Sequence, residues 1–290
     1  MPERAYLSFF VKAISKAFLG TACRVHVNGL ERFVSLVERK KGLITYSNHI
    51  SVLDDPLTWG VMPLRNCLDK RTVRTTLGAS DICFTNPLFT AFFSAGQTIE
   101  THRGAGIYQH AIDVAIEKLN AGHWLHIYPE GYVGQTSPTT GKLRRFKWGL
   151  ARLLLEANHA LPHEQGVEIV PIFIQGFEKV MPEERGFPRF LPRLGQRITI
   201  TFGEPVTQLV RPLIELEDLS TGKVVKQITL QTTDSQEGSL AIEDRAGVRG
   251  RPRPPLYKRE DPTLPDRRSK LVAVLQDALE SLGARTLPEA

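Results

Sequence analysis

His49 and Asp54 stand five residues apart in "YSNHISVLDDP" (46–56), with Asp55 and Pro56 directly behind. Histidine takes up and releases a proton near neutral pH, and a carboxylate on one ring nitrogen fixes the tautomer and steadies the imidazolium. This HX4D spacing is too wide for one face of a continuous helix. The pair can meet only if His49 lies in a loop and Asp54 on the first helical turn, looking back. Such a pair would act as a general base toward a hydroxyl. The same residues also suit a plain helix start. Ser51 as N-cap puts Asp54 at the capping-box position; alternatively Asp55 caps and Pro56 opens the helix. On residue types alone both readings stand.

Three further clusters carry candidate chemistry. In "HIYPEG" Glu130 and Gly131 follow Pro129 at a strand end, where Glu130 could accept a substrate hydroxyl or orient an arginine. Arg103, in "GQTIETHRG", is a fixed cation flanked by Gly104 and Gly106, and a guanidinium matches a phosphate's oxygens well. "GKLRRFKWG" interleaves Arg144, Arg145 and Lys147 with Phe146 and Trp148, a pattern suited to headgroup phosphates, to RNA, or to a solvated face. No Gly-x-Ser-x-Gly elbow occurs, so a serine acyl-enzyme is not indicated. Cys23, Cys67 and Cys83 show neither paired nor metal-ligand spacing and read as reduced, buried thiols. No metal site and no cofactor is expected. His126, inside a strand pattern, reads as a packed residue rather than a ligand, and Trp59 and Trp124 suit core packing.

The elements that must position these residues alternate between strand and helix patterns. "GLITYS" (42–47), "GQTIETH" (96–102), "WLHIYPEG", "VEIVPIFIQG" and "RITITFG" read as strands. "GIYQHAIDVAIEKLNAG", closed by Gly122, and "FKWGLARLLLEAN" (146–158) read as helices. This alternation predicts an α/β domain over residues 23–215, with a mixed, largely parallel sheet flanked by helices. Sites in such sheets gather at the carboxyl ends of strands, where both His49 and Glu130 fall. Residues 216–262 are polar and rich in Gly, Pro and charge, which predicts a flexible insertion. Residues 263–290 return to helical periodicity, with Gly283 as the expected stop and the helix packing back on the domain.

The chain of 290 residues is 41% hydrophobic with a formal net charge of +6, enough for a substantial core and suited to an anionic partner. No run of 18 or more apolar residues occurs, so a conventional spanning helix is not expected. Within 1–22, "AYLSFFVKAISKAFLG" sets Ser8, Lys12, Ser15 and Lys16 as a narrow stripe on an otherwise apolar helix. That predicts an amphipathic membrane-anchoring helix whose lysines reach the headgroups. A helix docked on the domain and a cleaved mitochondrial transit peptide are the other readings, the last disfavoured by little Ser and Arg and by Glu3. "PLFTAFFSAG" (87–96) suits either a bilayer-dipping or a buried helix.

Taken in order, "NHISVLDDP", "GQTIETHRG", "YPEG" and "IVPIF" resemble the four blocks of the glycerolipid acyltransferase family. "SNHISVLDDPLTWG", "ASDICFTNPLFTAFFSAG" and "LRRFKWGLARL" are similar to its mitochondrial phospholipid–lysophospholipid transacylase branch, and the resemblance spans roughly residues 5 to 206. It implies His49 as general base toward a lysophospholipid hydroxyl, with Asp54 orienting it and Arg103 holding the lipid phosphate. Glu130 and Gly131 would shape the acceptor pocket; Asn48 and Asp55 match the family loop, and Arg145 and Lys147 join as lipid-binding residues. Tyr128 stands where the broader family has phenylalanine. The implied activity is CoA-independent transacylation that remodels cardiolipin. Its substrates would be cardiolipin, monolysocardiolipin and phosphatidylcholine at a membrane surface, with no nucleic acid. The implied location is mitochondrial and interfacial, on an inner or outer membrane and facing the intermembrane space. Two alternatives remain: an acyl-CoA-dependent lysophospholipid acyltransferase, and a non-enzymatic anionic-lipid or RNA-binding protein.

Overall fold

The computed structural model describes residues 2–135, 142–159, 166–184, 186–187, 191–220 and 263–286. The five patterned strands form as Leu43–Ser47 (β2), Thr98–Thr101 (β4), Trp124–Ile127 (β5), Glu168–Gln175 (β6) and Gln196–Phe202 (β7). Two unanticipated strands join them, Cys23–Asn28 (β1) and Thr75–Ala79 (β3). β1 is an edge strand carrying Arg24 and His26, and β3 ends in Gly78 and Ala79, so neither shows a clear apolar pattern. The order is β1-β7-β6-β2-β5-β3-β4. β6, β2, β5, β3 and β4 run parallel, while β7 opposes β6 and β1 follows β7. The sheet is therefore mixed and largely parallel, with helices on both faces.

Burial explains the sequence of the central strands. Every residue of β2 and β5 is buried, because both faces are covered. On one face Ile44 and Tyr46 meet the helices His110–Asn120 (α6), Gly149–His159 (α7) and Leu264–Thr286 (α10), through Ile116, Leu154 and Leu275. On the other, Trp124, Ile172 and Ile200 meet Leu19 of Pro2–Ala22 (α1), Phe33 of Leu30–Glu38 (α2), and Trp59. Phe33 stacks on Phe202 at 4.4 Å, and Trp59 meets Trp124 edge-on at 4.8 Å. Short helices Asp54–Thr58 (α3) and Ser80–Cys83 (α4) follow β2 and β3, and Pro87–Ala95 (α5) precedes β4. Phe177–Val180 (α8) follows β6, and Thr207–Ser220 (α9) follows β7.

Four expectations need correction. Gly283 does not stop α10, which continues to Thr286. A Cβ at 283 would lie 2.5 Å from the Phe173 ring, so the glycine serves close helix–sheet packing instead. α7 begins at Gly149, not 146, and residues 142–148 form a non-helical strap. α9 runs through Ser220, five residues into the stretch expected to be an insertion; 221–262 lie outside the described residues. The polar stripe of α1 faces the protein: Lys12, Ser15 and Leu19 are buried, whereas Phe9, Phe10 and Ile14 are exposed. Lys16 stays exposed but donates to the Gly60 carbonyl at 3.5 Å. The polar side of the helix is wanted by a cavity and by backbone carbonyls, and its aromatic side is left outside.

Candidate active site

The loop leaving β2 is organised by one buried carboxylate. Asp54 Oδ2 accepts from His49 Nδ1 at 2.8 Å and from the backbone N–H groups of Ile50 at 2.6 Å and Ser51 at 2.9 Å. α3 starts at Asp54 with Leu53 at the N-cap, and no side chain caps it. Neither capping register forms; the carboxylate serves the loop and the imidazole. Asp54 has no solvent exposure, and the His49 side chain retains 21%. Burial pushes the Asp54 carboxyl above its usual range, while the bond to His49 and the two amides pull it back. With Nδ1 held, Nε2 is the nitrogen left to take a substrate proton.

A second set of contacts fixes His49 from the β5 side. Its ring stacks on Tyr128, 4.1 Å between centroids and 23° between planes. Its N–H donates to Glu130 Oε1 at 3.1 Å, and its carbonyl accepts from Gly134 N at 2.7 Å. Glu130 Oε2 accepts from the Arg144 N–H at 3.0 Å. Glu130 is 2% exposed, so both oxygens are committed to backbone; burial raises its pKa, and the two amides oppose that. Lys147 N donates to the Pro129 carbonyl at 2.8 Å. From α10, Glu280 and Gln276 accept from Leu143 N at 3.0 Å and Phe146 N at 3.2 Å. The 142–148 strap is thus clamped between the Pro-Glu-Gly turn and the C-terminal helix.

The remaining expected residues divide by position. Asn48 is fully buried, its amide exchanging bonds of 2.8 and 2.9 Å with the Ile174 backbone, and so ties the loop to β6. Asp55 accepts from Arg74 and, at 3.3 Å, from Trp59 Nε1. Arg103 donates to Asp81 at 3.1 Å and lies over the Tyr132 ring at 5.3 Å, with Lys147 over the same ring at 5.5 Å. Arg145 is exposed. His49, Asp55, Arg103, Gly131, Arg145 and Lys147 all line one cavity of about 1070 Å³. Asn48, Asp54 and Glu130 stand behind that lining. The rest of the wall is mostly apolar, including Val52, Leu77, Ile82, Phe92 and Ile112. A base at the wall of a chamber this large, with cations nearby, can activate a hydroxyl of a molecule that carries both phosphate and long apolar chains.

Sequence reasoning missed Arg74, which sits 13% exposed between Asp55 and the Gly96 carbonyl, 2.7 Å from the latter. It also missed Tyr132, the ring shared by Arg103 and Lys147. Nothing local marks either residue; each gains its role only when β3, β4 and the β5 turn converge. His126 is fully buried, 2.9 Å from Thr45 Oγ1 and 3.3 Å from Ser47 Oγ, a packed polar residue as expected. The cysteines are free; Cys67 is buried, and Cys23 and Cys83 are only half-buried.

Comparison with known proteins places these residues in context. A family model described as acyltransferase matches residues 24–175. The chain is 42% identical over 188 residues to Taffazin of Dictyostelium discoideum, covering 63% of this chain and 62% of that protein. It is 34% identical over 239 residues to Tafazzin of Saccharomyces cerevisiae, covering 69% and 61%. It is 37% identical over 210 residues to N-acylphosphatidylethanolamine synthase of Arabidopsis thaliana, covering 71% of each. The chain therefore spans about three fifths of the length of the first two relatives.

Proposed function

The chain belongs to the acyltransferase family, and on that premise we propose that it is a phospholipid–lysophospholipid transacylase. The observation that carries the proposal is the His49–Asp54 pair on the wall of a large, mainly apolar chamber flanked by Arg103 and Lys147. His49 Nε2 removes the proton of a lysophospholipid glycerol hydroxyl as that oxygen attacks the ester carbonyl of a donor phospholipid. Asp54 steadies the imidazolium. The tetrahedral intermediate collapses, the donor's glycerol oxygen leaves with the proton from His49, and the acceptor keeps the acyl chain. General-base assistance of this kind is worth about 10²–10⁴-fold. The balance closes without CoA. Likeness to two proteins named for tafazzin favours this donor and favours monolysocardiolipin as acceptor.

We propose membrane attachment as well, and exposed apolar side chains support it. Phe9, Phe10 and Ile14 on α1 and Leu88, Phe89 and Phe92 on α5 are exposed. The two helices touch, with Ser8 Oγ donating to the Ala95 carbonyl at 3.3 Å. Ser8, Val11, Phe92 and Phe93 also line the cavity, so this apolar face adjoins the chamber. Such a face suits shallow insertion into a bilayer, from which lipid chains would enter. Among the described residues no helix is long and apolar enough to cross a membrane. We take the surface to be a mitochondrial membrane facing the intermembrane space, a location supported by family likeness and testable by subcellular fractionation.

The test of donor class is omission. Purified protein in liposomes receives either labelled-acyl phosphatidylcholine or acyl-CoA, with monolysocardiolipin or lysophosphatidylcholine as acceptor. Transfer from phosphatidylcholine with no CoA present is the expected result. Transfer only from acyl-CoA would replace the transacylase with a CoA-dependent enzyme. Phosphatidylethanolamine belongs among the acceptors, because the Arabidopsis relative's name specifies an N-acyl product.

A further inference from the structure

The N-terminal helix carries one cation that the mechanism above does not use. Lys12 is 8% exposed and lines the same cavity as His49. Its bonding neighbour is the Cys67 thiol, and its charged neighbours are Arg74 and Lys16, both cations. Among the described residues no carboxylate pairs with it; Asp55 is already held by Arg74 and Trp59. A buried ammonium without a counter-charge is unfavourable, and burial lowers its pKa accordingly. Methionine or leucine would fill the same space more favourably. Lys12 thus lines the chamber beside two other cations and with no acidic partner among the described residues, a setting that suits an anionic group on a bound molecule.

We propose that Lys12 anchors a lipid phosphodiester inside the cavity, a second anion subsite besides the one at Arg103. The proposal rests on the transacylase reading, in which donor and acceptor phospholipids must both be recognised by one chamber. Arg103 and Lys147 enter from the turns after β4 and β5, whereas Lys12 enters from α1 beside the segment 64–67. The phosphodiester could belong to the donor or be the second phosphate of a two-phosphate acceptor; the chemistry of recognition is the same.

Full-length wild type, Lys12→Met and Lys12→Arg are assayed in liposomes, varying phosphatidylcholine donor and each acceptor separately. Lys12→Met should raise one KM by about tenfold or more, the loss of one charged hydrogen bond, with kcat little changed, and Lys12→Arg should recover most of it. A rise in donor KM with either acceptor assigns the donor phosphate. A rise confined to monolysocardiolipin, with lysophosphatidylcholine unaffected, assigns the acceptor's second phosphate. The thermal midpoint of Lys12→Met should be equal to or above wild type, since an uncompensated charge has gone. Unchanged KM values overturn the subsite. So does a lower midpoint with kcat reduced for every substrate pair, which would make Lys12 a structural partner of Cys67. Calorimetric titration with soluble dihexanoylphosphatidylcholine reads the subsite without turnover. An inactive wild type would therefore sink the transacylase reading alone, whereas equal Kd for wild type and Lys12→Met, both with this ligand and with a short-chain monolysocardiolipin, would sink the subsite.

Discussion

Replacing Glu130 by glutamine separates two roles for the Pro-Glu-Gly turn. The carboxylate accepts from the His49 and Arg144 amides, one on each oxygen. Glutamine offers one carbonyl and one NH₂, so one of those N–H groups would face another donor. An unsatisfied buried donor costs about 1–3 kcal/mol. Part of this is offset, because burial already disfavours the charged form of Glu130. A net loss of about 1–2 kcal/mol would lower the thermal midpoint by about 2–6 °C. The damage falls on the backbone that carries the base. About 1.4 kcal/mol of lost positioning in the transition state corresponds to a tenfold fall in kcat, with donor and acceptor KM little changed. Calorimetry and steady-state transfer assays on wild type and Glu130→Gln read both quantities. A raised acceptor KM with unchanged kcat and midpoint would refute the reasoning and return Glu130 to direct contact with substrate.

Asp54→Asn should remove most activity while changing the pH dependence of stability in a defined direction. A carboxyl whose pKa is raised on folding holds its proton more tightly folded than unfolded, so it lowers stability as pH rises through that window and above it. The thermal midpoint of the variant relative to wild type should therefore improve as pH rises above the ordinary carboxyl range, about pH 4; a constant difference would mean Asp54 is not perturbed by burial. Gly283→Ala drives a methyl into the Phe173 ring and should cost about 1–3 kcal/mol as overpacking, read as a lower melting temperature; an unchanged midpoint would mean α10 can shift freely. A Phe10→Ser, Leu88→Ser, Phe92→Ser triple variant should fold normally yet lose flotation with phosphatidylcholine–cardiolipin vesicles, and undiminished flotation would place the membrane face elsewhere.

The sheet was legible because its central strands are covered on both faces and must be continuously apolar. The edge strand β1, with Arg24 and His26 alternating into it, carries no such signature. His49 and Asp54 could be paired from spacing, but what argues against the capping registers is visible only in the fold, where Asp54 bonds the imidazole and two loop amides and no side chain caps the helix. Glu130 was legible as important and illegible in role, since its partners are the backbones of His49 and of Arg144, 81 and 14 residues away. α1 shows how periodicity can be right and orientation wrong. The narrow polar stripe was real, but nothing in the helix alone could say that a cavity, rather than lipid headgroups, lay opposite Lys12.

The most direct test of the whole account is transfer of labelled acyl chains from phosphatidylcholine to monolysocardiolipin in CoA-free liposomes, comparing wild type with His49→Ala. The account predicts labelled cardiolipin from wild type and, with the fold intact by circular dichroism, a loss of about 10²-fold or more in the variant. Equal transfer by the two proteins would contradict it, leaving the loop after β2 a structural turn and the acyl chemistry without its base.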